Sequence, residues 1–416
     1  MSRIAIIGSG ISGLLCAHRL SHQHDVEIFE ANDYAGGHTA TVDVELAGKS
    51  YAIDTGFIVF NDRTYPRFQA LLKELDVDYQ ETEMSFSVHN PAQGLIYNGN
   101  SINSLFCQRR NIFSPRFLLF VREILRFNTD CKRRYAEDDY LNGDSLGNYL
   151  RSKNYSRFFA ENYLLPMGAA IWSSSLQDIE EMPLKFFVQF FYNHGLLDVN
   201  NRPQWFTIKG GSRTYVDALL KRCNAKLHLS TPIQQVKRTA HGVTVQTASS
   251  EQHFDEVIMA CHSDQALALI EQPTVMEQQV LSAIHYRDNE VVLHSDPNLL
   301  PPIAAARASW NYHCCPEQQA PAAVTYSMNI LQRLAADAPL FNVTLNNSTA
   351  IDPEHVLRSF NYSHPVFSTD MVNAQEKRAS ICGVDHIHFC GAYWYNGFHE
   401  DGVRSAEDVC ERIATS

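Results

Sequence analysis

The sequence predicts an α/β protein with more than one domain, and three features lead to this expectation. First, the chain has 416 residues and a mass of 47.1 kDa, which exceeds the roughly 250 to 300 residues at which a single hydrophobic core stops growing. Second, the N-terminus alternates strand-like and helix-like segments. Third, strand-like segments recur far along the chain. Parallel strands are joined by long crossover connections, which are usually helices. Strands that are distant in the sequence are therefore expected to join one sheet.

The N-terminal unit reads as a strand, a glycine-rich turn, a helix and a second strand. Residues 3–13 begin as a short apolar run and end in glycines, a helix is expected through Leu20, and 26–29 form the second strand. This order is a βαβ unit. Further strands are expected within 235–245, where two runs meet at a polar turn, and over 254–260.

Segments of helical character separate these strands. Residues 65–75 and 113–135 are predicted helices, and 182–192 are dense in phenylalanine. Because the sequence has no internal repeat and no long Gly/Ser linker, the second domain is expected to be inserted into the first. We expect this inserted substrate or cap domain to be α+β and mainly helical. The predicted bounds are 1–60, 205–265 and 380–416 for the first domain, and 61–204 and 266–379 for the second.

Composition and charge disfavour several classes of protein. Apolar residues make up 45% of the chain and charged residues 19%, which is typical of a globular protein rather than a disordered or fibrous one. The net charge of −12 makes nucleic acid an unlikely main partner. The sequence shows no run of about 18 uncharged apolar residues and no signal-peptide pattern, so a cytoplasmic, non-spanning protein is expected.

The glycine-rich turn Gly8-Ser9-Gly10-Ile11-Ser12-Gly13 follows the first strand and opens the helix. Its glycines allow a tight turn, a close approach of the backbone to a pyrophosphate, and close packing of helix on strand. The N-terminus of the helix would face the anion. Glu30, at the end of the second strand, can accept hydrogen bonds from ribose hydroxyls. The sequence therefore predicts a Rossmann-like domain that binds a dinucleotide.

A second glycine turn, Gly36-Gly37-His38-Thr39, follows Glu30 closely and could bring backbone amides to the same pyrophosphate. Here the sequence resembles the flavin amine oxidase and phytoene desaturase superfamily, whose members follow the acidic residue with paired glycines and usually an arginine. This chain has His38 at that place, and a neutral imidazole donates one hydrogen bond. The resemblance implies FAD as the cofactor and a glutathione reductase-like topology for the first domain.

The resemblance continues along the whole chain. Asp54-Thr55-Gly56-Phe57 is similar to the segment that such enzymes place near the isoalloxazine, and Gly210-Gly211-Ser212 is similar to their mid-chain glycine pair. The strand at Val236 resembles one whose backbone meets the adenine. Residues 389–406 resemble the C-terminal flavin motif, in which a glycine begins a helix that points at the flavin. The family often has an aspartate where this chain has Ala392, so Asp401 or a backbone amide is expected to replace it.

Three segments narrow the resemblance. Residues 54–61, 310–312 and 397–402 look like the branch of predicted NAD/FAD-binding proteins associated with cyclopropane fatty acid synthases. Enzymes of the wider superfamily desaturate carotenoids, oxidise amines or move double bonds in fatty acids, so the fold alone does not give the reaction. The residues that the resemblance assigns to FAD are Gly8, Ser9, Gly10, Ser12, Gly13, Glu30, Gly36, Gly37, His38, Thr39, Thr55, Gly56, Phe57, Val236, Gly391, Asp401, Gly402 and Val403.

The expected chemistry is hydride transfer from an apolar substrate to the flavin. The sequence has no second GxGxxG and no CxxxxC motif, so a dedicated NADPH half-reaction is not expected. Substrate oxidation and redox-neutral isomerisation both suit a dry cavity. We expect desaturation or double-bond isomerisation of a fatty acyl chain, free or still part of a phospholipid. The alternatives are an amine oxidase that makes hydrogen peroxide, and a non-catalytic flavoprotein that partners a lipid-modifying enzyme such as a methyltransferase.

Three residues near the predicted flavin edge are candidates for catalysis. Tyr395 could donate a proton or hydrogen bond, and His399 and Glu400 could act as bases. The alternative is that His399, Glu400 and Asp401 cap the last helix and bind ribityl hydroxyls, because acidic groups favour helix N-termini. The run Tyr393-Trp394-Tyr395 could form an aromatic wall of the cavity or pack in the core.

No metal site is expected. The ten cysteines include no CxxC pair, which argues against the common zinc patterns. His386 and His388 have HxH spacing on a predicted strand and therefore share one face. Because the sequence offers no third ligand for them, a packed strand is the favoured interpretation.

The segment 107–135 is basic in an acidic protein. It holds eight basic residues and only two acidic ones. Such segregation is typical of a helix that rests on anionic headgroups, and the alternative is a solvated basic face over a packed core. The predicted apolar stripe consists of Phe117, Val121, Ile124 and Leu125. Peripheral contact with an anionic membrane is predicted through Arg109, Arg110, Arg116, Arg122 and Arg126.

A cluster of phenylalanines follows later in the chain. Its members are Phe186, Phe187, Phe190 and Phe191. They could line a tunnel for an acyl chain, or they could form an ordinary aromatic core.

Overall fold

The computed structural model of the protein describes residues 1–46, 48–139, 144–314 and 321–415. The strands of this part are β1 (Arg3–Ile7), β2 (Asp25–Phe29), β3 (Thr41–Leu46), β4 (Lys49–Asp54), β5 (Phe60–Asn61), β6 (Tyr79–Thr82), β7 (Phe86–Asn90), β8 (Leu95–Asn98), β9 (Trp205–Ile208), β10 (Lys226–His228), β11 (Ile233–Thr239), β12 (Gly242–Thr247), β13 (Glu251–Phe254), β14 (Glu256–Met259), β15 (Tyr286–His294), β16 (Trp310–His313), β17 (Ala323–Ser327), β18 (Asn342–Leu345), β19 (Val356–Pro365) and β20 (Ile387–Phe389).

The α-helices of the described residues are α1 (Ile11–Leu20), α2 (Pro66–Leu75), α3 (Ile102–Leu105), α4 (Pro115–Glu137), α5 (Leu146–Ser152), α6 (Arg157–Phe159), α7 (Leu165–Trp172), α8 (Leu176–Glu181), α9 (Leu184–Asn193), α10 (Arg213–Arg222), α11 (Ser263–Leu269), α12 (Val275–Ser282), α13 (Met328–Leu331), α14 (Thr369–Glu376) and α15 (His399–Thr415). A π-helical turn at Ala160–Leu164 joins α6 to α7. Within these residues, no helix is both long and apolar enough to cross a membrane.

A five-stranded parallel sheet forms the centre of the first region. Its order is β10-β2-β1-β14-β20, and every neighbouring pair runs parallel. Ile6 of β1 lies opposite Ile28 of β2 and Ile258 of β14, and all three are fully buried. Strands covered on both faces read as continuous apolar runs, which is why the sequence identifies them. The sheet joins segments that are more than 350 residues apart in the chain, as the α/β prediction requires.

Helices α1 and α15 pack tightly against each other beside this sheet. A Cβ added to Gly402 of α15 would lie 2.7 Å from Ile11 Cγ2 of α1. The Ser12 hydroxyl donates to the Gly402 carbonyl oxygen at 2.9 Å. The missing side chain of Gly402 therefore lets the C-terminal helix reach the glycine-rich turn that precedes α1.

A seven-stranded mixed sheet forms the centre of the second region, in the order β19-β15-β18-β17-β16-β7-β8. Within this sheet of described residues, β7 and β16 pair parallel and all other neighbouring strands pair antiparallel. The expectation of a mainly helical insertion is therefore wrong for residues 266–379, which supply five of these strands. The sequence hides them because β19 is rich in polar residues and β15 begins with polar residues after Tyr286. The apolar alternation of a half-buried strand is then absent.

Helix α4 is the long basic helix that the sequence predicts. Ser114 caps its N-terminus by accepting the N–H of Phe117 at 3.3 Å, and proline occupies its first position. Its buried face includes Phe117, Phe120, Phe127 and Cys131. The predicted stripe is wrong at Leu125, which is exposed, and only partly correct at Val121 and Ile124, which are half-buried. Phe120 and Phe127, which are bulkier than Val121, Ile124 and Leu125, are buried with Phe117 and set the rotation of the helix.

Candidate functional site

The glycine-rich turn between β1 and α1 is fixed by the close approach of its own backbone. Gly8 has a φ of +106°, and its N–H donates to the Phe29 carbonyl oxygen at 2.9 Å. A Cβ on Gly13 would lie 2.1 Å from the Gly8 carbonyl oxygen, which no side chain can tolerate. Gly10 differs, because nothing lies within 4 Å of its Cβ position. The first N–H groups of α1 have no acceptor within the helix, so the turn can receive an anion.

Glu30 ties this turn to the end of β2. One carboxylate oxygen accepts the Ser9 N–H at 2.9 Å and the Ser9 hydroxyl at 2.6 Å. The other oxygen accepts the backbone and side-chain N–H groups of Asn32, both at 3.0 Å. All four accepting positions of the buried carboxylate are therefore engaged within the chain. A ribose hydroxyl would have to replace the Ser9 or the Asn32 side chain.

The second glycine turn lies directly against the first. The Gly36 N–H donates to the Ser9 carbonyl oxygen at 2.9 Å. Gly37 has a φ of +58°, and a Cβ there would lie 3.2 Å from the Gly10 Cα. The structure thus brings together the two turns that the sequence assigns to one pyrophosphate.

The segment 54–57 and the mid-chain glycine pair also meet. Fully buried Asp54 accepts the Ser212 N–H at 2.9 Å and the Thr41 hydroxyl at 2.6 Å. Burial raises the pKa of Asp54 to about 7. A Cβ on Gly56 would lie 2.0 Å from the His38 carbonyl oxygen. Position 56, between the second glycine turn and the cavity, therefore accommodates only glycine.

A cavity of about 490 Å³ extends from these turns to the seven-stranded sheet. Its volume is within the usual range of ligand sites. The sheet side is formed by Phe86, Val291, Trp310, Tyr326, Val343 and Leu345, and the helical side by Tyr163, Met167, Ile171, Phe190 and His194. In the lining, all of it from the described part of the chain, there is no aspartate, glutamate or lysine, and the single arginine is Arg202. The cavity is thus predominantly apolar, with one permanent charge.

Three histidines meet at the glycine-turn end of the cavity. The His38 ring lies 5.8 Å from the His262 ring and 5.4 Å from the His364 ring, measured between centroids. Burial lowers the pKa of His38 and of His262 to about 4, and that of His364 to about 3. His38 Nε2 is buried and has no hydrogen-bond partner among the described residues. Such an atom is a place where a bound group that forms a hydrogen bond would fit.

Comparison with known families decides which dinucleotide suits this arrangement. Residues 11–294 match the model of the flavin containing amine oxidoreductases. The chain belongs to this family. The family's flavin cofactor is FAD, and the observed cradle fits it, since the paired glycine turns leave open backbone at Gly10 and an unpartnered buried ring nitrogen at His38. The residues around the cavity can therefore be compared with those that the sequence assigns to FAD.

Some similar proteins match the sequence over part of the chain, and others superpose on the fold over its whole length. A Mycobacterium tuberculosis protein named as a flavin-containing monoamine oxidase is 24% identical over 298 residues, which are 68% of this chain and 62% of that protein. The chain thus spans about three fifths of that relative. Cyclohexylamine oxidase from Brevibacterium oxydans superposes with a TM-score of 0.71 at 14% identity, covering 100% of this chain and 99% of the other.

A second solved structure comes from a different reaction class. The CLA-producing fatty acid isomerase from P. acnes superposes with a TM-score of 0.68 at 15% identity, covering 99% of this chain and 98% of the other. At these identities the superpositions show a shared fold and leave the substrate open.

The predicted FAD residues divide into those that line the cavity and those behind it. Gly10, Ser12, Gly36, His38, Thr55, Gly56, Phe57 and Gly391 line the cavity. Gly8, Ser9, Gly13, Glu30, Gly37, Thr39, Val236, Asp401, Gly402 and Val403 are outside its lining. Among the latter, Val236 is fully buried in β11, and its carbonyl oxygen accepts the Glu271 N–H at 2.9 Å. Its predicted contact with the adenine stays a prediction.

His399 is the one of the three catalytic candidates that lines the cavity. Its ring stacks on Phe57 with centroids 3.5 Å apart. Its Nε2 lies 3.0 Å from the Thr39 hydroxyl and 2.9 Å from the Tyr215 hydroxyl. Burial lowers the pKa of His399 to about 3, so the ring is neutral at neutral pH and a weak proton acceptor. This geometry favours a positioning role for His399 over the predicted role as a base.

Tyr395 and Glu400 point away from the cavity. The Tyr395 hydroxyl donates to Asp408 Oδ2 at 2.6 Å. The Glu400 carboxylate accepts the N–H groups of Arg67 at 3.1 Å and Phe68 at 2.9 Å, in the first turn of α2. Glu400 therefore caps a different helix from the one that the sequence suggests. We do not retain a catalytic role for either residue.

The C-terminal motif contributes Gly391, Ala392 and Tyr393 to the cavity lining. The Tyr393 hydroxyl is buried and has no partner among the described residues. Asp401 accepts the Phe398 N–H at 2.9 Å at the start of α15, which agrees with the capping alternative. Burial raises the pKa of Asp401 to about 7. Of the aromatic run 393–395, Tyr393 alone reaches the cavity.

The remaining sequence candidates have structural contacts. Of the phenylalanine cluster, only Phe190 lines the cavity, while Phe187 and Phe191 are buried and stack on each other with centroids 4.0 Å apart. His386 and His388 both contact the Glu256 carboxylate, at 3.1 and 3.0 Å. The Phe187–Phe191 pair and the two histidines with Glu256 therefore make structural contacts away from the cavity.

Several residues of the cavity escape sequence reasoning. His262 lies three residues after the carboxyl end of β14, and this edge of an open α/β sheet is where ligands bind, so a signal for it was present. Tyr362 and His364 alternate along β19 and therefore share a face. Tyr215 and Arg202 carry no local pattern, because only the tertiary fold brings them to the site.

Proposed function

We propose that this protein is an FAD-dependent oxidoreductase that desaturates a fatty acyl chain or moves a double bond within one. The cavity is the observation that carries the proposal. It leads from the glycine turns to an apolar wall on the seven-stranded sheet, and its described lining holds no carboxylate. An extended hydrocarbon has no polar group of its own that would need a partner there.

Arg202 suits the acid end of such a substrate. It is an exposed residue of the cavity lining, and its guanidinium donates to the carbonyl oxygens of Asp198 at 3.2 Å and Gly99 at 3.4 Å. It forms no ion pair with any described side chain, whereas Arg63 and Lys132 nearby both contact the Asp198 carboxylate. A guanidinium with donors to spare binds a carboxylate with two parallel hydrogen bonds. We place the acyl carboxylate at Arg202 and the hydrocarbon along the apolar walls.

The residues of the chain would act by orientation and exclusion of water. FAD supplies the hydride acceptor when bound. Trp310, Tyr326 and Met167 would hold the hydrocarbon in a dry channel, in which a C–H bond can be positioned. His399, fixed by Thr39 and Tyr215, would shape the wall next to Phe57 and hold its neutral form. Within the described C-terminal flavin motif, the Tyr393 hydroxyl is the unpartnered hydrogen-bonding group whose residue lines the cavity.

Amine oxidation is the second candidate because the family and the M. tuberculosis relative carry that name. An ammonium group would need an aromatic cage together with a carboxylate. Aromatic rings are abundant in the cavity, but a partner carboxylate is not found in its described lining. We therefore rank the amine below the acyl chain.

The test uses the purified protein with its flavin, under anaerobic conditions. Free unsaturated fatty acid, phospholipid and a primary amine are added in separate cuvettes. Flavin absorbance is recorded and the lipids are identified by gas chromatography with mass spectrometry. Flavin bleaching with a new double bond supports desaturation, and a shifted double bond without bleaching supports isomerisation. Bleaching by the amine, followed by hydrogen peroxide on admission of air, would contradict the acyl proposal. No reaction in any cuvette would favour the non-catalytic alternative.

A cavity-filling variant sharpens this test. Ile171 lines the cavity, and Ile171→Trp would occupy the space of the hydrocarbon. We expect loss of acyl turnover with the flavin retained. Val275→Trp is the matched control because Val275 is 76% exposed on α12. Equal turnover in both variants would remove the cavity from the proposal.

A further inference from the structure

One surface of the protein combines exposed apolar side chains with arginines. It comprises α3, the 3-10 turn Arg109–Phe113 and the outward face of α4 up to Arg126, and we name it the docking surface. Ile102 is 80% exposed and Phe113 is 86% exposed. Four further apolar side chains of this surface are also exposed, namely Ile112, Leu118, Leu119 and Leu125. A soluble surface seldom gathers this many large apolar side chains without a partner.

Packing does not explain the outward leucines. Helix α4 already buries Phe117, Phe120 and Phe127 against the core. Leu118 and Leu119 lie on the opposite side and are about half exposed. These leucines therefore do not belong to the buried face of the helix, and their exposure requires another reason.

The arginines of the docking surface lack acidic partners. Arg109, Arg110, Arg116, Arg122 and Arg126 form no ion pair with a described residue; Arg110 donates to the Gly94 carbonyl oxygen at 2.7 Å and Arg126 lies over the Tyr155 ring at 3.9 Å. Farther along the same helix, by contrast, Arg133 pairs with Asp130 at 2.8 Å.

Carboxylates are nearly absent from this stretch of sequence. The only acidic residue between positions 100 and 129 is Glu123. It is buried and accepts the Ser156 N–H at 2.8 Å. The docking surface thus presents positive charge without an exposed carboxylate of its own segment, on a protein of net charge −12.

We propose that the docking surface binds an anionic lipid bilayer. Phe113, Ile102 and the leucines would enter the boundary between headgroups and acyl chains, while the guanidinium groups meet lipid phosphates. A protein partner would need carboxylates to pair with five arginines and an apolar pocket for Phe113. A bilayer offers both kinds of contact, because anionic headgroups lie directly above apolar acyl chains. Charge complementarity therefore favours lipid over protein as the occupant.

The docking surface adjoins the Arg202 end of the cavity. Tyr97 lines the cavity, and its ring packs on Phe120 of α4 with centroids 5.4 Å apart. Gly99 also lines the cavity, accepts a hydrogen bond from Arg202, and precedes Ile102 by three residues. A docked protein would then open its cavity beside the lipid. This consequence for substrate entry rests on the proposed function, whereas the docking itself does not.

The test is flotation of the flavin-loaded protein with vesicles. One set is made of phosphatidylcholine and another of phosphatidylcholine mixed with phosphatidylglycerol. We expect binding to the mixed vesicles that weakens with added salt. The variant Arg110→Gln/Arg122→Gln should bind about thirtyfold more weakly, since each surface arginine contributes about fivefold. The variant Phe113→Ser/Leu119→Ser should also lose most of its binding.

Matched controls separate docking from folding. Arg151→Gln removes an exposed arginine that pairs with Glu180, and Val275→Ser removes an exposed apolar side chain elsewhere. Both should bind like the parent protein, and flavin absorbance confirms that each variant is folded. Equal binding to both vesicle types, unchanged binding of the arginine variant, or a dimer in solution that the same variants abolish would overturn the proposal. Vesicle binding without fatty acid turnover would leave docking standing and refute the proposed function.

Discussion

The two ends of the cavity are built by different means. At the cofactor end, the backbone itself sets the shape, because Cβ atoms at Gly13 and Gly56 would lie 2.1 and 2.0 Å from carbonyl oxygens. At the opposite end, side chains from distant strands and helices form the walls, among them Met167, Trp310 and Val343. The first end tolerates almost no change, whereas the second can be reshaped by substitution. This difference permits proteins of one fold to keep the same cofactor while they bind different substrates.

The strongest test of this comparison is at the cofactor end. Gly13→Ala should lose FAD, because the overlap with Gly8 would cost about 3 kcal/mol or more, which is about a hundredfold in affinity. Gly10→Ala is the matched variant, since its Cβ position is free and its φ is −67°. It should fold normally yet bind FAD more weakly, because the added methyl faces the cavity. Flavin fluorescence titration and thermal melting measure both effects. Parental FAD affinity in Gly13→Ala would contradict the steric account.

The same difference explains how far the sequence can predict the molecule. The cofactor end is encoded locally: Gly8 to Gly13, Glu30 and Gly36 form short motifs, and each lies at or directly behind the cavity. The opposite end is encoded by tertiary contacts. The polar β19 hides its strand, and Arg202 reaches the cavity from a loop without a motif.

Proximity in sequence also misleads at the site. Tyr395 and Glu400 flank His399 within four residues, yet they turn to Asp408 and to the N-terminus of α2. Side-chain direction near a helix start depends on the helices packed around it, and a single segment does not contain that information.

The end of the cavity that is proposed to hold the substrate should respond to the loss of one charge, that of Arg202. Arg202→Gln is expected to raise KM for a free fatty acid about thirtyfold, because a charged hydrogen bond contributes about 2 kcal/mol. The effect on kcat should be small, since the carboxylate is far from the reacting bond in the proposed pose. Steady-state kinetics with the acid and its methyl ester check this, because the ester should not distinguish the variant from the parent. Arg63→Gln, which removes a neighbour paired with Asp198, is the control.

The histidine cluster between the two ends makes stability depend on pH. His38, His262 and His364 are neutral in the fold, with pKa values lowered by burial to about 4, 4 and 3. As the pH falls from about 6.5 towards 4, the unfolded chain binds protons first, so the free energy of unfolding decreases. Asp54 and Asp401, whose pKa values are raised to about 7, contribute in the opposite direction.

Replacing one member of the cluster should weaken this dependence. His364→Gln cannot be protonated, so the difference between urea midpoints at about pH 7 and about pH 5 should shrink. His241→Gln, in an exposed turn, is the control. If both variants keep the parental difference, the cluster does not titrate on unfolding as described.

The smallest effects are expected from the residues that the structure moves away from the site. Tyr395→Phe removes the hydrogen bond to Asp408 and should lower the free energy of unfolding by about 1 kcal/mol, while kcat stays at the parental value. Glu400→Gln should behave similarly, because its amide oxygen can still accept a hydrogen bond in the first turn of α2 but without the charge. Urea unfolding and turnover measured on the same preparations separate the two readouts. A large fall in kcat without loss of stability would return either residue to catalysis and show that the cavity closes differently around a bound substrate.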